Sequence, residues 1–266
     1  MLGLFDSGLG GLTVLRAVRA ALPDEEIVFL ADQAHVPYGD RSEEELVALL
    51  HANVAWLEAA GADAIVMACN TSCAVAQRHG WPSAGVRILD LIESAALAVT
   101  RRGLRDIAVI ATAATVRTGA YGHALRSRAP AMKVTEIAAP ALVPLVEAGE
   151  IEGEVARRAV AEVCERVPST CEAVLLACTH FPVLDAHFAT ALGPNVLRID
   201  PAIVQAERAV ALAIEAGSPR GSGRTRCVTT GDGVRFAAQL EMMLGPDLAR
   251  TSEAVRLEYG RDRRAP

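Results

Sequence analysis

Two runs decide the fold of this chain, Ala64-Ile65-Val66-Met67-Ala68-Cys69 and Ala173-Val174-Leu175-Leu176-Ala177-Cys178. Each is a short apolar stretch that closes on a cysteine, and polar, turn-prone residues follow it at once. A buried strand that opens into a helix places its last residue at the carboxyl edge of a parallel sheet, where open α/β sheets bind ligands. The two cysteines therefore predict a site with one thiol on each side of a single substrate.

The same layout occurs twice along the chain. Strand and helix signals alternate throughout, which is typical of parallel sheets with crossover helices. A first strand leads into Asp6-Ser7, and the strand at 107–111 leads in the same way into Thr112-Ala113-Ala114-Thr115. The interval from Ser7 to Cys69 nearly equals that from Thr115 to Cys178. This predicts an α/β fold of two pseudo-symmetric lobes, each a mostly parallel sheet flanked by helices.

We expect residues 1–92 and 206–266 to form the first lobe and residues 93–205 to form the second. The active site would lie in the cleft between them. A link rich in Pro, Gly and Ser at residues 218–223 precedes strands expected at 227–230 and 255–259, which would complete the first lobe.

Composition bounds the class of protein. Of 266 residues, 52% are hydrophobic and 4% aromatic, which predicts a large aliphatic core. The chain has no apolar run of about 18 residues that could span a membrane and no secretory signal, so we expect a cytoplasmic protein without a membrane partner. A net charge of -6 argues against nucleic acid as a partner, because phosphate binding needs a basic surface.

Cofactor signals are absent from the sequence. Lys133 is the only lysine and has no glycine-rich phosphate loop beside it, which argues against pyridoxal phosphate. The glycines at 8–11 do not form a dinucleotide fingerprint. We therefore expect no cofactor. The six cysteines do not indicate a disulfide framework in a cytoplasmic chain, and those outside the two strand ends are expected to be structural.

Four motifs occur in a specific order: Phe5-Asp6-Ser7-Gly8-Leu9-Gly10-Gly11-Leu12, Pro37-Tyr38-Gly39, Ala68-Cys69-Asn70-Thr71 and Cys178-Thr179-His180-Phe181-Pro182. Each is weak alone, but together they resemble the glutamate racemases of the aspartate/glutamate racemase superfamily over nearly the whole chain. The resemblance implies a cofactor-independent enzyme that interconverts L- and D-glutamate and supplies D-glutamate for peptidoglycan, and so for cell-wall biogenesis and cell shape. It also implies a homodimer.

Two cysteines suit this reaction because racemisation removes the α-proton from one face and returns a proton to the other. The resemblance implies that Cys69 deprotonates D-glutamate and Cys178 deprotonates L-glutamate, with the other cysteine reprotonating the carbanion. Asp6 would assist Cys69 and His180 would assist Cys178. Glu147 matches a further acidic position of the family, although a solvated helix glutamate is the alternative. A negative Asp6 would by itself raise the pKa of a thiol, which favours a role toward the substrate ammonium or in proton exchange.

Substrate contacts implied by the resemblance cluster at strand ends and helix starts, where backbone N–H groups suit carboxylates. They are Asp6, Ser7, Pro37, Tyr38, Gly39, Asn70, Thr71, Thr112, Thr115, Thr179 and His180. Arg117 could approach the cleft, but a position on the protein surface is the simpler interpretation. Phe181 departs from the family, which more often has Tyr at this position. The difference alters no catalytic group.

Three alternatives remain open at this point. An aspartate or hydantoin substrate is the nearest, although His180 and the 37–39 motif favour glutamate. Cys69, Cys73, Cys178 and His180 would supply four zinc ligands, but their spacing is unusual for structural zinc and we expect no metal. A binding module without catalysis is the third, and two retained thiols argue against it.

Overall fold

A computed structural model describes residues 1–215, 221–250 and 252–256; of residues 246–250 and 252–256 it describes the backbone only. Part of the link expected at 218–223 and part of the strand expected at 255–259 therefore lie outside the described residues. The strands are β1 (Leu2–Asp6), β2 (Ile27–Ala31), β3 (Ala64–Met67), β4 (Arg87–Leu89), β5 (Asp106–Ala111), β6 (Lys133–Ala138), β7 (Ala173–Ala177), β8 (Leu197–Ile199), β9 (Thr225–Thr229) and β10 (Ser252–Arg256).

Helices connect successive strands. They are α1 (Gly11–Ala21), α2 (Glu43–Ala59), α3 (Asn70–His79), α4 (Leu91–Thr100), α5 (Ala113–Thr118), α6 (Ala120–Arg128), α7 (Leu142–Ala148), α8 (Gly153–Cys164), α9 (Asp185–Leu192), α10 (Ala202–Glu215) and α11 (Gly233–Arg250), the last kinked at Gly245. Three short 3-10 helices cover Gln33–His35, Tyr38–Asp40 and Phe181–Leu184. Within the described ranges, every helix is too short or too polar to cross a membrane.

Two parallel sheets form, as the alternation of strands and helices predicts. Among the described strands, the first sheet has the order β10-β9-β2-β1-β3-β4 and the second has the order β6-β5-β7-β8. The order β2-β1-β3-β4 in the first sheet repeats as β6-β5-β7-β8 in the second. The predicted α/β fold with two similar halves is therefore confirmed, and β9 and β10 extend the first sheet.

Strand register explains why the key residues meet. β1 pairs with β3, opposing Phe5 to Met67, so Asp6 and Cys69 leave adjacent strands at the same edge. In the second sheet β5 pairs with β7, opposing Ala111 to Ala177, so Thr112 and Cys178 leave adjacent strands in the same way. The near-equal sequence intervals thus correspond to the same pair of neighbouring strands in each sheet.

The core is mainly aliphatic and forms three clusters, one of which contains buried residues of both halves. The inner strands β1, β2, β3 and β7 are buried along their full length. Helices complete the layers by burying one face, and α1 does so through Leu12, Leu15 and Val18. Ser42 caps α2 and forms the predicted capping box with Glu45. The scaffold around both cysteines is therefore densely packed, which fixes the positions of the strand ends.

Candidate active site

Both cysteines line one small pocket between the carboxyl edges of the two sheets. The pocket is almost completely filled by its own walls, with a free cavity volume of about 10 Å³. Its lining residues are Ser7, Tyr38, Gly39, Cys69, Asn70, Thr71, Thr112, Val143, Cys178, Thr179 and His180. Each sheet contributes one cysteine and the polar residues that follow it. The geometry therefore places one thiol from each half of the chain around the same cavity.

Asp6 ends β1 and is held by three donors. Its Oδ2 accepts hydrogen bonds from the backbone N–H groups of Gly8 (3.1 Å) and Gly11 (2.8 Å), and its Oδ1 accepts one from Thr179 Oγ1 (3.3 Å). Burial raises the pKa of Asp6 to about 6, although the charge of His180 and the two N–H donors lower it. This carboxyl group therefore titrates close to neutral pH, where proton exchange is easiest.

Cys69 is the cysteine that the site keeps protonated. It caps α3, and its Sγ accepts the N–H of Ser72 at 3.4 Å. Burial and the charge of Asp6 raise the pKa of the Cys69 thiol to about 12, against hydrogen bonds from Ser72 and Ser7 that lower it. At neutral pH Cys69 is therefore a proton donor rather than a base.

Cys178 lies beside a histidine that is itself paired with a carboxylate. Its Sγ lies 3.7 Å from His180 Nδ1, and His180 Nε2 lies 2.6 Å from Glu147 Oε1. Burial would lower the pKa of His180, but its hydrogen bonds to Cys178 and Glu147, with their negative charges, raise it well above its usual value. The second half of the site therefore holds a carboxylate-paired imidazole within reach of the Cys178 sulfur, where it can take part in proton transfer.

Glu147 joins the two halves. Its Oε1 accepts the backbone N–H of Leu9 (2.8 Å) from the first half as well as contacting His180 in the second. Burial would raise the pKa of Glu147, but the hydrogen bond and charge of His180 and the N–H of Leu9 lower it. Glu147 is therefore an ionised partner of His180 and not a solvated helix residue. Gln33 from the first half lies 3.5 Å from its Oε2.

Hydroxyl groups form a triangle at the other wall. Thr71 Oγ1 lies 2.9 Å from Thr112 Oγ1, and Thr115 Oγ1 lies within 3.3 Å of both. Thr115 is fully buried behind the other two. Asn70 starts α3 beside them, and its Nδ2 is buried with no hydrogen-bond partner among the described residues. This wall offers hydroxyl and amide donors that suit an anion.

The loop around Tyr38 closes the pocket. Pro37 follows a cis peptide bond and precedes Tyr38, whose hydroxyl donates to the buried Asp32 Oδ2 at 2.5 Å. Gly39 abuts Thr112 so closely that an added Cβ would lie 3.0 Å from the Thr112 Cβ. Because this loop belongs to the first half and Thr112 to the second, the pocket is shut by contact between the two halves.

Most of the predicted site residues line the pocket, and the others support it. Asp6, Pro37, Thr115 and Glu147 lie behind the lining. Arg117 is exposed and donates to the Arg41 carbonyl oxygen at 3.2 Å. Val143 also lines the pocket, and the sequence did not predict it as a site residue. Among the residues that the structure describes, no group of three or more His, Cys, Asp and Glu is arranged to hold a metal ion.

Gly10 sets how closely the two halves approach, and Gly10→Ala should damage the site. Its φ of -56° suits any residue, but an added Cβ would lie 2.5 Å from His180 Nδ1 and 2.6 Å from the His180 backbone nitrogen. Since the backbone cannot yield as a side chain can, we expect His180 to shift and the catalytic activity of the site to fall about 10²-fold. Gly233→Ala, where an added Cβ meets nothing within 4 Å, is the control. Equal activity of both variants would contradict this account.

Comparison with known proteins agrees with this geometry. The sequence model of the Asp/Glu/Hydantoin racemase family matches residues 12–209. A glutamate racemase of Gloeobacter violaceus is 42% identical over 244 residues, which cover 89% of each chain. Among solved structures, the glutamate racemase of Thermus thermophilus in complex with beta-chloro-D-alanine has a TM-score of 0.83 at 34% identity, covering 97% of this chain and 96% of that one.

A second solved structure carries an amino-acid ligand. The glutamate racemase of Francisella tularensis, in complex with D-glutamate, has a TM-score of 0.84 at 25% identity and covers 97% of this chain and 96% of its own. The match of the family model over most of the chain, together with relatives of this identity and coverage, confirms the resemblance drawn from the motifs. The chain belongs to the Asp/Glu/Hydantoin racemase family, in its glutamate racemase branch.

Proposed function

We propose that this protein interconverts L-glutamate and D-glutamate, without a cofactor, by proton transfer between two thiols on opposite faces of the substrate. The observation that carries this proposal is that two cysteines, one from each sheet, line the same pocket. Each sheet brings one thiol to the pocket, and His180 lies 3.7 Å from the Cys178 sulfur, where it can assist proton removal by that residue. One donor and one base around a single cavity are what a proton transfer with inversion requires.

In the L-to-D direction, Cys178 removes the α-proton of L-glutamate and the electron pair remains on the α-carbon. Cys69 then gives its proton to the opposite face. One turnover leaves Cys178 protonated and Cys69 as a thiolate, which is the arrangement that deprotonates D-glutamate. Asp6, with its pKa raised to about 6, would exchange a proton on the Cys69 side or accept a hydrogen bond from the substrate ammonium group.

Substrate carboxylates would be held by donors at the helix starts. Asn70 Nδ2 is an unpartnered buried donor, and the first backbone N–H groups of α3 suit an anion. Donors at the α-carboxylate also stabilise the carbanion, since negative charge develops there as the proton leaves. We assign the remaining contacts to Ser7, Pro37, Tyr38, Gly39, Thr71, Thr112, Thr115, Thr179 and His180, on the family resemblance.

The wider role is part of the same proposal. Residues 1–92 with 206–266 would move as one lobe and 93–205 as the other, opening the closed pocket to admit glutamate. On the family resemblance, the protein would supply D-glutamate for peptidoglycan in the cytoplasm and would act as a homodimer.

Circular dichroism tests the reaction directly. Purified protein without added cofactor is mixed with L-glutamate, D-glutamate or L-aspartate, and we expect the signal of both glutamate enantiomers to decay to zero while aspartate stays unchanged. In D₂O, early product should carry deuterium at the α-carbon while unreacted substrate does not, because donor and base are different groups. Decay of the circular dichroism signal with aspartate but not with glutamate would show that the protein acts on aspartate instead. No decay, with stoichiometric zinc in the sample, would support the metal alternative.

A further inference from the structure

Tyr121 is a buried residue whose hydroxyl group reaches the substrate pocket through Asn70. It lies in α6 of the second half and has no exposed surface. Its hydroxyl is hydrogen-bonded to Oδ1 of Asn70, the first residue of α3 in the first half. Among the described residues, the phenol oxygen has no other hydrogen-bond partner. The contact therefore crosses between the two halves beside the pocket.

This contact fixes which way the Asn70 amide faces. A phenol hydroxyl carries one hydrogen, and leaving a buried donor without an acceptor is unfavourable. Among the residues that the structure describes, Asn70 is the only hydrogen-bond partner of the Tyr121 hydroxyl. Tyr121 is therefore the donor, and the amide oxygen of Asn70 must face it. The Nδ2 group is then turned away from Tyr121, where it is buried and unpartnered beside the pocket that Asn70 lines.

Tyr121 is therefore neutral, and a donor, near neutral pH. Burial raises its pKa well above the usual value, and the neighbouring Cys73 and Asp90 add to this. A tyrosinate would instead accept from Nδ2 and turn the amide oxygen toward the pocket. That orientation would repel a carboxylate, so the neutral phenol is the form that suits an anionic substrate.

We propose that Tyr121 is a positioning residue that locks the Asn70 amide so that its two N–H donors face a carboxylate of the substrate. The inference rests on the proposed function, because glutamate supplies that carboxylate. In this role Tyr121 does not contact the substrate, but it determines whether the Asn70 amide presents a donor or an acceptor to the pocket. The same contact makes the donor available only when the two halves are closed on each other.

A double-mutant cycle tests this role. Tyr121→Phe removes one oxygen and keeps the ring, so we expect KM for both glutamate enantiomers to rise about tenfold with kcat changed much less. Asn70→Ala should raise KM at least as much. In the Asn70→Ala background, Tyr121→Phe should leave KM unchanged, because the amide through which it acts is gone. A residue that only supports packing would raise KM or lower kcat equally in both backgrounds, which would overturn the proposal.

A second variant covers the case in which Tyr121→Phe fails to fold. Asn70→Asp keeps the shape and an acceptor for Tyr121, but presents an oxygen where the structure presents a donor. We expect it to raise KM more than Asn70→Ala does, and an equal or smaller rise would overturn the proposed orientation. Calorimetric measurement of D-glutamate binding to the unmodified protein distinguishes a failure of the proposed function from a failure of the inference about Tyr121. Absence of both binding and turnover overturns the proposed function and this inference with it, whereas turnover with an additive cycle overturns the inference alone.

Discussion

Cys178→Ser is expected to lower kcat/KM for L-glutamate and for D-glutamate alike by about 10³-fold, and Cys69→Ser is expected to do the same. Serine keeps the size of the side chain but is a far weaker acid, so it neither forms the base nor releases a proton readily. The loss must be equal in both directions, because the equilibrium constant between enantiomers is one and fixes the ratio of the two kcat/KM values. Polarimetric progress curves measure both.

Isotope effects distinguish the roles of the two cysteines. In Cys178→Ser, removal of the α-proton from L-glutamate becomes the slow step, so α-deuterated L-glutamate should show a larger isotope effect than α-deuterated D-glutamate. In Cys69→Ser the order should reverse. A single base that serves both faces would give the same pattern in the two variants, and that result would refute the two-thiol mechanism.

The chain offers matched controls for both cysteines. Cys171 precedes β7, at the opposite end of the strand from Cys178, and its Sγ contacts Asp106 at 3.4 Å. Cys171→Ser should retain activity because it is far from the pocket edge. Cys73 lies one turn along α3 from Cys69 and is fully buried. Cys73→Ser should also retain turnover, whereas a zinc site that includes Cys73 would lose its metal.

The sequence was sufficient to predict the fold because the deciding signals are local. Apolar runs that end in Cys69 and Cys178 predict buried parallel strands, and parallel strands place their ends at one edge. The repeated interval between strand ends then predicts two similar halves, and the structure confirms this through the repeated strand order. Motif residues such as Ser7, Asn70 and Thr179 line the pocket because they directly follow such strands.

Contacts between distant elements could not be predicted in the same way. The sequence left Glu147 open between a solvated helix residue and a functional one, and only the packing of the two halves places it against His180 and the Leu9 N–H. Tyr121 has no local signal, since a single tyrosine in a helix is typical of any core. The raised pKa values of Cys69 and His180 depend on burial and neighbouring charges, which a sequence does not specify.

Glu147→Gln should reduce kcat for L-glutamate about 10²-fold at neutral pH and change the pH profile as well. In the unmodified protein the negative Glu147 helps to raise the pKa of His180, so the imidazole stays protonated at neutral pH and loses its proton only as the pH rises past that raised value. Glutamine removes this charge, and burial, which lowers the pKa of His180, is then less opposed. The alkaline limb of kcat/KM should therefore move to lower pH, with partial recovery of activity as the pH falls.

Matched variants separate this electrostatic role from a structural one. Glutamine can still accept the Leu9 N–H through its Oε1, so Glu147→Gln retains the link between the halves and removes only the charge. Glu150→Gln removes an exposed glutamate three residues further along and should leave both rate and pH profile unchanged. If Glu147→Gln instead lowered kcat/KM by the same factor at every pH, Glu147 would act by holding Leu9 and not by keeping His180 protonated. A shifted alkaline limb would show that His180 supports Cys178 as a cation.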